Sequence, residues 1–284
     1  MIHALRPKYP GLPLLRMCQL LDVPRSLLYR KAVERPERAR FFLELRQELL
    51  SVFGVHSYYG YRRFYHALKH RGVPCGFKSV RQAMREEGIV YKRPRRAPRT
   101  SDGKGTGVWP NLLKEEKAQA PSRIFVADIT YIGLPGGFGY LACVLDLFQR
   151  KIVGWAMSRR IDAKLTLRAL RTAIEKGKPA PNWIHHSDRG SQYLCTEYVR
   201  TVLEADGRVS CSDKACPQDN AFMESFFKTL KVEEVWQEAY QDFLQAQTGV
   251  GGYIAKYNAH RLHSSLGYLS PEQFEARFRN DSTQ

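Results

Sequence analysis

The chain is poor in cysteine, in acidic residues relative to basic ones, and in long apolar runs. Its six cysteines, Cys18, Cys75, Cys143, Cys195, Cys211 and Cys216, are scattered along 284 residues, and no two form a CxxC pair. That spacing argues against a zinc site, and a disulfide framework is out of place in a chain of this length. Reduced thiols and a cytoplasmic location are the expectation. No apolar run approaches the ~20 residues that cross a bilayer. The opening MIHALRPKYPGLPLL has no apolar core followed by a small-residue cleavage site, so no secretory leader and no membrane partner are expected. GxGxxG after a strand, a Walker loop and GxSxG are missing too, which removes dinucleotide redox, P-loop and serine-hydrolase chemistry.

What is present is a globular amount of apolar residue, 43%, in a chain long enough for two domains. Positive charge is in excess, with 45 Lys and Arg against 28 Asp and Glu. It is unevenly spread. Residues 1–100 hold 22 basic and 7 acidic residues, and residues 101–284 hold 23 and 21. A strongly basic segment beside a nearly neutral one implies a polyanion-binding region joined to something else, and nucleic acid is the leading partner.

Residues 14–32, LLRMCQLLDVPRSLLYRKA, read as helix, turn and helix, with Pro24 at the first position of the second. A further amphipathic helix covers 41–52. Residues 61–71 and 77–87 form a second pair around the turn GVPCG, with Arg62, Arg63, Lys69, Lys78, Arg81 and Arg85 as a basic exterior. Two such pairs in a basic segment favour DNA binding, with Arg62, Arg63, Lys78 and Arg81 as candidate contacts. The boundaries expected are a basic helix-turn-helix region over 1–91, a Pro- and Arg-rich linker over 92–121 unable to form a core, and a mixed domain over 122–284. That last domain reads as three strands, helix, strand, helix, strand, helix, an α/β layout of a mixed sheet flanked by helices, as in a ribonuclease-H-like core.

Its final helix, within DNAFMESFFKTLK, places Phe222, Phe226, Leu230, Met223 and Phe227 in one arc at about 100° per residue, with Glu224 on the rim. Lys228 and Lys231 project on the side of Glu224. Two other acids stand out. Asp128 sits mid-strand in FVADITYI, where a lone carboxylate is costly. Asp188 follows the strand WIHH and opens the loop SDRGSQY, beyond the carboxyl end of a strand, where ligands gather. Three carboxylates from separate elements suit a hard divalent ion and phosphodiester chemistry. His185 and His186 read as strand core rather than ligands, Asp146 as structural, and Asp219 and Asn220 as helix caps. In YNAHRLH, Arg261 is open to two readings, phosphate contact or core packing.

The stretches ADITYI, YLACVLDLFQRKIVGWAMS, IHHSDRGSQY, DNAFMESFFKTLKVE and YIAKYNAHRLHSSLGYLSPEQF together resemble the OrfB transposases of the third insertion-sequence family, members of the DDE superfamily with retroviral integrases. The resemblance covers roughly 14–278. It implies a catalytic triad of Asp128, Asp188 and Glu224, with 35 residues between the last two. Two Mg2+ ions, replaceable by Mn2+, are implied as cofactors. The implied reaction is cleavage of an element's ends and transfer of the freed 3′-OH. The implied partners are double-stranded DNA, as terminal inverted repeats and target, further copies of the chain in a homo-oligomer, and OrfA or an OrfA–OrfB fusion. Lys228, Lys231 and Arg261 join the candidate DNA contacts, and the bound protein would sit on the nucleoid. A catalytically silent DNA-binding regulator derived from a transposase is the alternative.

Overall fold

A computed structural model describes residues 9–22, 24, 36–90, 109–213 and 220–281. The chain divides into two compact units, Met1–Tyr91 and Lys92–Gln284.

The first unit is helical. Helix α1 spans Leu14–Leu20, and the second helix expected after it, up to residue 32, lies outside the described residues. Helices α2 (Pro36–Val55), α3 (Tyr61–His70) and α4 (Phe77–Glu86) pack on one another. Their apolar periodicity explains why: Leu45, Leu49, Val52, Phe64, Leu68, Val80 and Ala83 recur at helical spacing, and each is at most 1% exposed. Gly72, at φ 77°, ends the turn of α3 where a side chain would be strained.

The second unit is built on a five-stranded sheet. Its strands are β1 (Ile124–Leu134), β2 (Gly137–Asp146), β3 (Ile152–Ser158), β4 (Trp183–Ser187) and β5 (Gly207–Cys211), in the order β3-β2-β1-β4-β5. The first three form an antiparallel meander, and β4 and β5 join in parallel. Helices α5 (Ala163–Gly177), α6 (Ser191–Leu194), α7 (Thr196–Glu204), α8 (Ala221–Leu230), α9 (Phe243–His260) and α10 (Pro271–Asp281) complete the unit. This is the ribonuclease-H-like layout expected from the order of elements.

The pleat separates two cores. Ile124, Val126 and Ile132 of β1 face Met223, Phe226, Phe227 and Leu230 of α8 and the apolar side of α9. Phe125 and Ala127 face the other way, onto Leu165, Ala169, Leu170 and Ala173 of α5 and Tyr198 and Val202 of α7. Helix α5 starts where the Asp162 side chain accepts a bond from Leu165 N at 2.9 Å. Its backbone lies so close to β3 that a Cβ on Gly154 would fall 2.2 Å from the Ala169 carbonyl. The turn after β2 is organised by Asp146, which is wholly buried and accepts from Ser122 N, Phe148 N, Gln149 N and Gln149 Nε2. Its role is structural, as expected. Asn258 of α9 covers part of the free edge of β3 by bonding both Ile152 N and Ile152 O at 2.9 Å, as a neighbouring strand would.

Three expectations change. Residues 109–121 do not read as an open linker. Leu112, Leu113 and Ala118 pack on the sheet core, Pro110 O accepts from Cys211 N, and Ser210 Oγ accepts from Leu112 N. The two leucines supply the apolar surface that the Pro- and Arg-rich composition around them obscured. The helix in TEYVRTVLEADG, for which Gly207 is the expected cap, instead ends before left-handed Asp206, and Gly207 is a strand residue under the Trp183 ring. Phe222 is not buried with its neighbours: it is 39% exposed, with the Arg150 guanidinium 3.8 Å above its ring.

Candidate active site

Asp128 has the same parity as Val126 and Ile132, so it belongs to the face of β1 that α8 covers. Burial pushes its carboxyl up to about 7, and the neighbouring Asp188 charge adds to the rise. The Ile129 N–H, which donates to Asp128 Oδ1 at 2.8 Å, works against that rise. The Glu224 charge raises the carboxyl further, and Lys231 pulls it down. Asp188 reaches Asp128 through strand register. Val126 pairs with His186 in parallel, so the residue two further along each strand is an aspartate. Asp188 Oδ1 accepts from Gly190 N at 2.9 Å, and burial raises its carboxyl too. A Cβ on Gly190 would lie 2.9 Å from that same oxygen, so the tight turn needs glycine.

Glu224 is in the first turn of α8, on its exposed side. The start of this helix is tied to the sheet by Asn220, whose Nδ2 donates to Ala127 O at 3.4 Å, one residue before Asp128. Asn220 occupies the N-cap position without making a capping bond, and Asp219 lies outside the described residues. Glu224 thus acts on Asp128 through space from the rim. Among the described residues no three His, Cys, Asp or Glu side chains close into a group able to hold a metal ion. The structure brings Asp128 and Asp188 together and leaves Glu224 one step out.

Lys231 follows α8 at the head of a π-helical turn, Lys231–Val235. Its ammonium stands 4.4 Å over the Tyr131 ring; burial lowers its pKa and the Asp128 charge raises it. Lys228, in the last turn of α8, is exposed. Of the other candidates, Lys78 and Arg81 are exposed on α4, and Arg62 is exposed on α3 with its Nε donating to Tyr61 Oη at 3.2 Å. Arg63 is half-buried, its guanidinium 5.6 Å over the Tyr59 ring. The phosphate reading of Arg261 is corrected. Arg261 is 4% exposed, and its Nε and Nη2 donate to the two Glu233 oxygens at 2.8 and 2.7 Å. Tyr253 Oη donates to the same carboxylate at 2.7 Å. Glu233 fixes the guanidinium in the core, where no phosphate can reach it.

His185 and His186 are both buried on β4. His185 bonds Tyr198 Oη at 2.8 Å and is held neutral by burial, its pKa down to about 3. His186 bonds Ser210 and Ser212. Two buried polar groups lie near the acids, and of these Tyr193 has no counterpart among the residues the sequence singled out. The Tyr193 hydroxyl is buried without a partner and feels the charges of Asp128 and Asp188, and Asn220 Oδ1 is buried and unpartnered as well. A tyrosine five residues after Asp188 carried no signal that separated it from a core aromatic.

Residues 118–217 and 207–271 match two models of the integrase core domain, and residues 43–97 match an HTH-like domain. The transposase for insertion sequence element IS904 of Lactococcus lactis subsp. lactis (strain IL1403) is 37% identical over 246 residues, covering 85% of this chain and 97% of that protein. Transposase InsF for insertion sequence IS3A of Escherichia coli (strain K12) is 36% identical over 266 residues, covering 91% and 92%. The chain belongs to the insertion-sequence transposases. Asp128 and Asp188 of this transposase lie in the first integrase-core match, Glu224 in the second, and α3 and α4 in the HTH-like match. The HTLV-2 integrase catalytic core domain in complex with magnesium (dimeric form) is a structural neighbour at 15% identity, covering 56% of this chain and 99% of that one with a TM-score of 0.45.

Proposed function

We propose that this transposase cuts the ends of its element and joins the freed 3′-OH to target DNA, with Asp128, Asp188 and Glu224 as the catalytic acids. The observation that carries the reading is the Asp128 carboxyl. It is pushed up to about 7 by burial and by two further acids, a rise that the Ile129 N–H and the half-buried Lys231 offset only in part. A cluster with that unbalanced charge suits a hard divalent cation, and oxygen donors are the ligands magnesium takes. Asp128, Asp188 and Glu224 would hold two Mg2+ ions, or Mn2+ in their place, with Glu224 moving in from the rim. Bound there, the cation would neutralise charge at the reacting phosphate and favour an ionised attacking oxygen.

The chain's own residues do the rest. Asp128 and Asp188 are fixed by strand register and by the Ile129 and Gly190 N–H groups. Lys231, beside them, would hold the phosphate whose bond breaks, and Lys228 the next along the strand. In the first step a water oxygen bonds to phosphorus as the bond to the element's 3′ oxygen breaks. In the second, that 3′ oxygen bonds to a target phosphorus and a target 3′-OH leaves. The basic first unit would supply most of the affinity for terminal repeats and target, and pairing two ends calls for more than one copy of the chain. A plain nuclease with this core is the competing enzyme. A joining assay separates them: duplexes with a recessed 3′-OH should appear covalently linked to plasmid target in Mg2+. Cut target with no linked product would mark a nuclease.

A further inference from the structure

We propose that α4 is the helix this chain lays in the DNA major groove, and that Gln82 reads an adenine there while Lys78 and Arg85 hold the flanking phosphates. The inference rests on the DNA-joining reading above and adds a base-reading residue to it.

The exposed face of α4 carries Lys78, Arg81, Gln82, Arg85 and Glu86, which line an open depression of about 430 Å3. At helical spacing these five span an arc of about 140°, and Val80, Ala83 and Met84 fill the opposite side, buried. The start of the helix is held by aromatic contacts. The Phe77 ring lies 4.0 Å from that of Tyr65 and 6.1 Å from that of Tyr61, centroid to centroid. Tyr61 also fixes two cations, with Arg81 5.3 Å and Arg62 5.7 Å from its ring. The basic face is therefore steadied by rings before it meets DNA.

Gln82 is the uncharged polar member of that face, and its amide is oriented. Nε2 donates to Glu86 Oε1 at 2.8 Å. A carboxylate only accepts, so this bond decides which end of the amide faces Glu86. One N–H and the carbonyl oxygen remain. That donor and acceptor pair complements adenine, which presents N7 as acceptor and N6–H as donor in the major groove. Guanine presents two acceptors there, cytosine a single donor, and thymine an acceptor and a methyl group, so none of them meets both atoms. Glu86 thus acts as a positioning residue for Gln82. Lys78, Arg81 and Arg85 surround the amide with positive charge, which suits the phosphates of duplex DNA.

The test uses the full chain and a randomised duplex pool, followed by binding measurements at several salt concentrations. The wild type should select adenine at one position. In Gln82→Ala the preference for adenine there should fall about fivefold or more, with the other selected positions and the salt slope kept. Lys78→Ala should leave the selected sequence alone and reduce the salt slope by about one unit. An adenine preference that persists in Gln82→Ala, or selection of no adenine by the wild type, overturns the inference. If the wild type joins DNA and Gln82→Ala selects the same sequence, this inference alone fails. If the wild type neither binds nor joins DNA, the functional reading fails with it.

Discussion

Asp128 carries a largely buried carboxylate whose ionisation costs stability. Its carboxyl titrates near 7 in the folded chain and near 4 when unfolded. The native state therefore binds the proton more tightly between those values. Relative to an unshifted acid, the stabilisation is complete below about pH 4 and is lost as pH rises through about 7. Asp128→Asn should accordingly be more stable than the wild type at pH 8, by about 1–3 kcal/mol once solvent screening of its partly exposed side chain is allowed for, and so melt higher. The gap should close towards pH 4. Paired thermal melts check this, and a variant that melts lower at pH 8 would refute it. The sequence itself reveals Asp128, because a carboxylate interrupts an apolar strand. It could not give away the Lys231 environment, which depends on a π-helical turn and the Tyr131 ring brought up from β1. Lys231→Ala should lower strand transfer at least about tenfold and Lys228→Ala less, since a misplaced phosphate contact costs rate more than stability. Equal, full activity in both would show that neither lysine holds a reacting phosphate.

At the scale of the element, starts and stops were legible where a local device sets them. Helix α5 runs over Ala163–Gly177 as its apolar spacing indicates, because Asp162 caps it and the chain turns left-handed at Lys178. Faces were less legible. Periodicity says which residues share an arc and not how much of the arc a neighbour covers, so Phe222 came out exposed beneath Arg150. Charge type misled in the same way at Arg261, whose partner Glu233 lies 28 residues away in sequence. Removing one member of a buried pair strands the other, so Arg261→Ala should cost about 3–5 kcal/mol in chemical denaturation. A loss below about 1 kcal/mol would mean that the pair is solvated. Gly154→Ala should also lower the melting temperature, because the new methyl would meet the Ala169 carbonyl of α5. An unchanged melt would mean that the contact between β3 and α5 yields freely.

At the scale of the molecule, the order of strands and helices was enough to suggest the sheet, because a meander followed by alternating helix and strand leaves few ways to cover both faces. The three acids were legible as residues but not as an assembly: register unites Asp128 with Asp188, whereas Glu224 depends on how α8 begins after residues 214–219, which lie outside the described residues. Charge divides along the chain as well, with 22 of the 45 basic residues and only 7 of the 28 acidic ones in residues 1–100. DNA affinity should therefore fall steeply with salt, and neutralising Lys78 and Arg85 together should flatten the slope by about two units. A slope unmoved by that change would place the phosphate contacts elsewhere. Whether Asp128, Asp188 and Glu224 act as one set on DNA is decided by strand transfer by the full-length Glu224→Gln chain in Mg2+. No joined product should form, with DNA binding and melting temperature close to wild type. Joining at near wild-type rate would contradict their acting as one set.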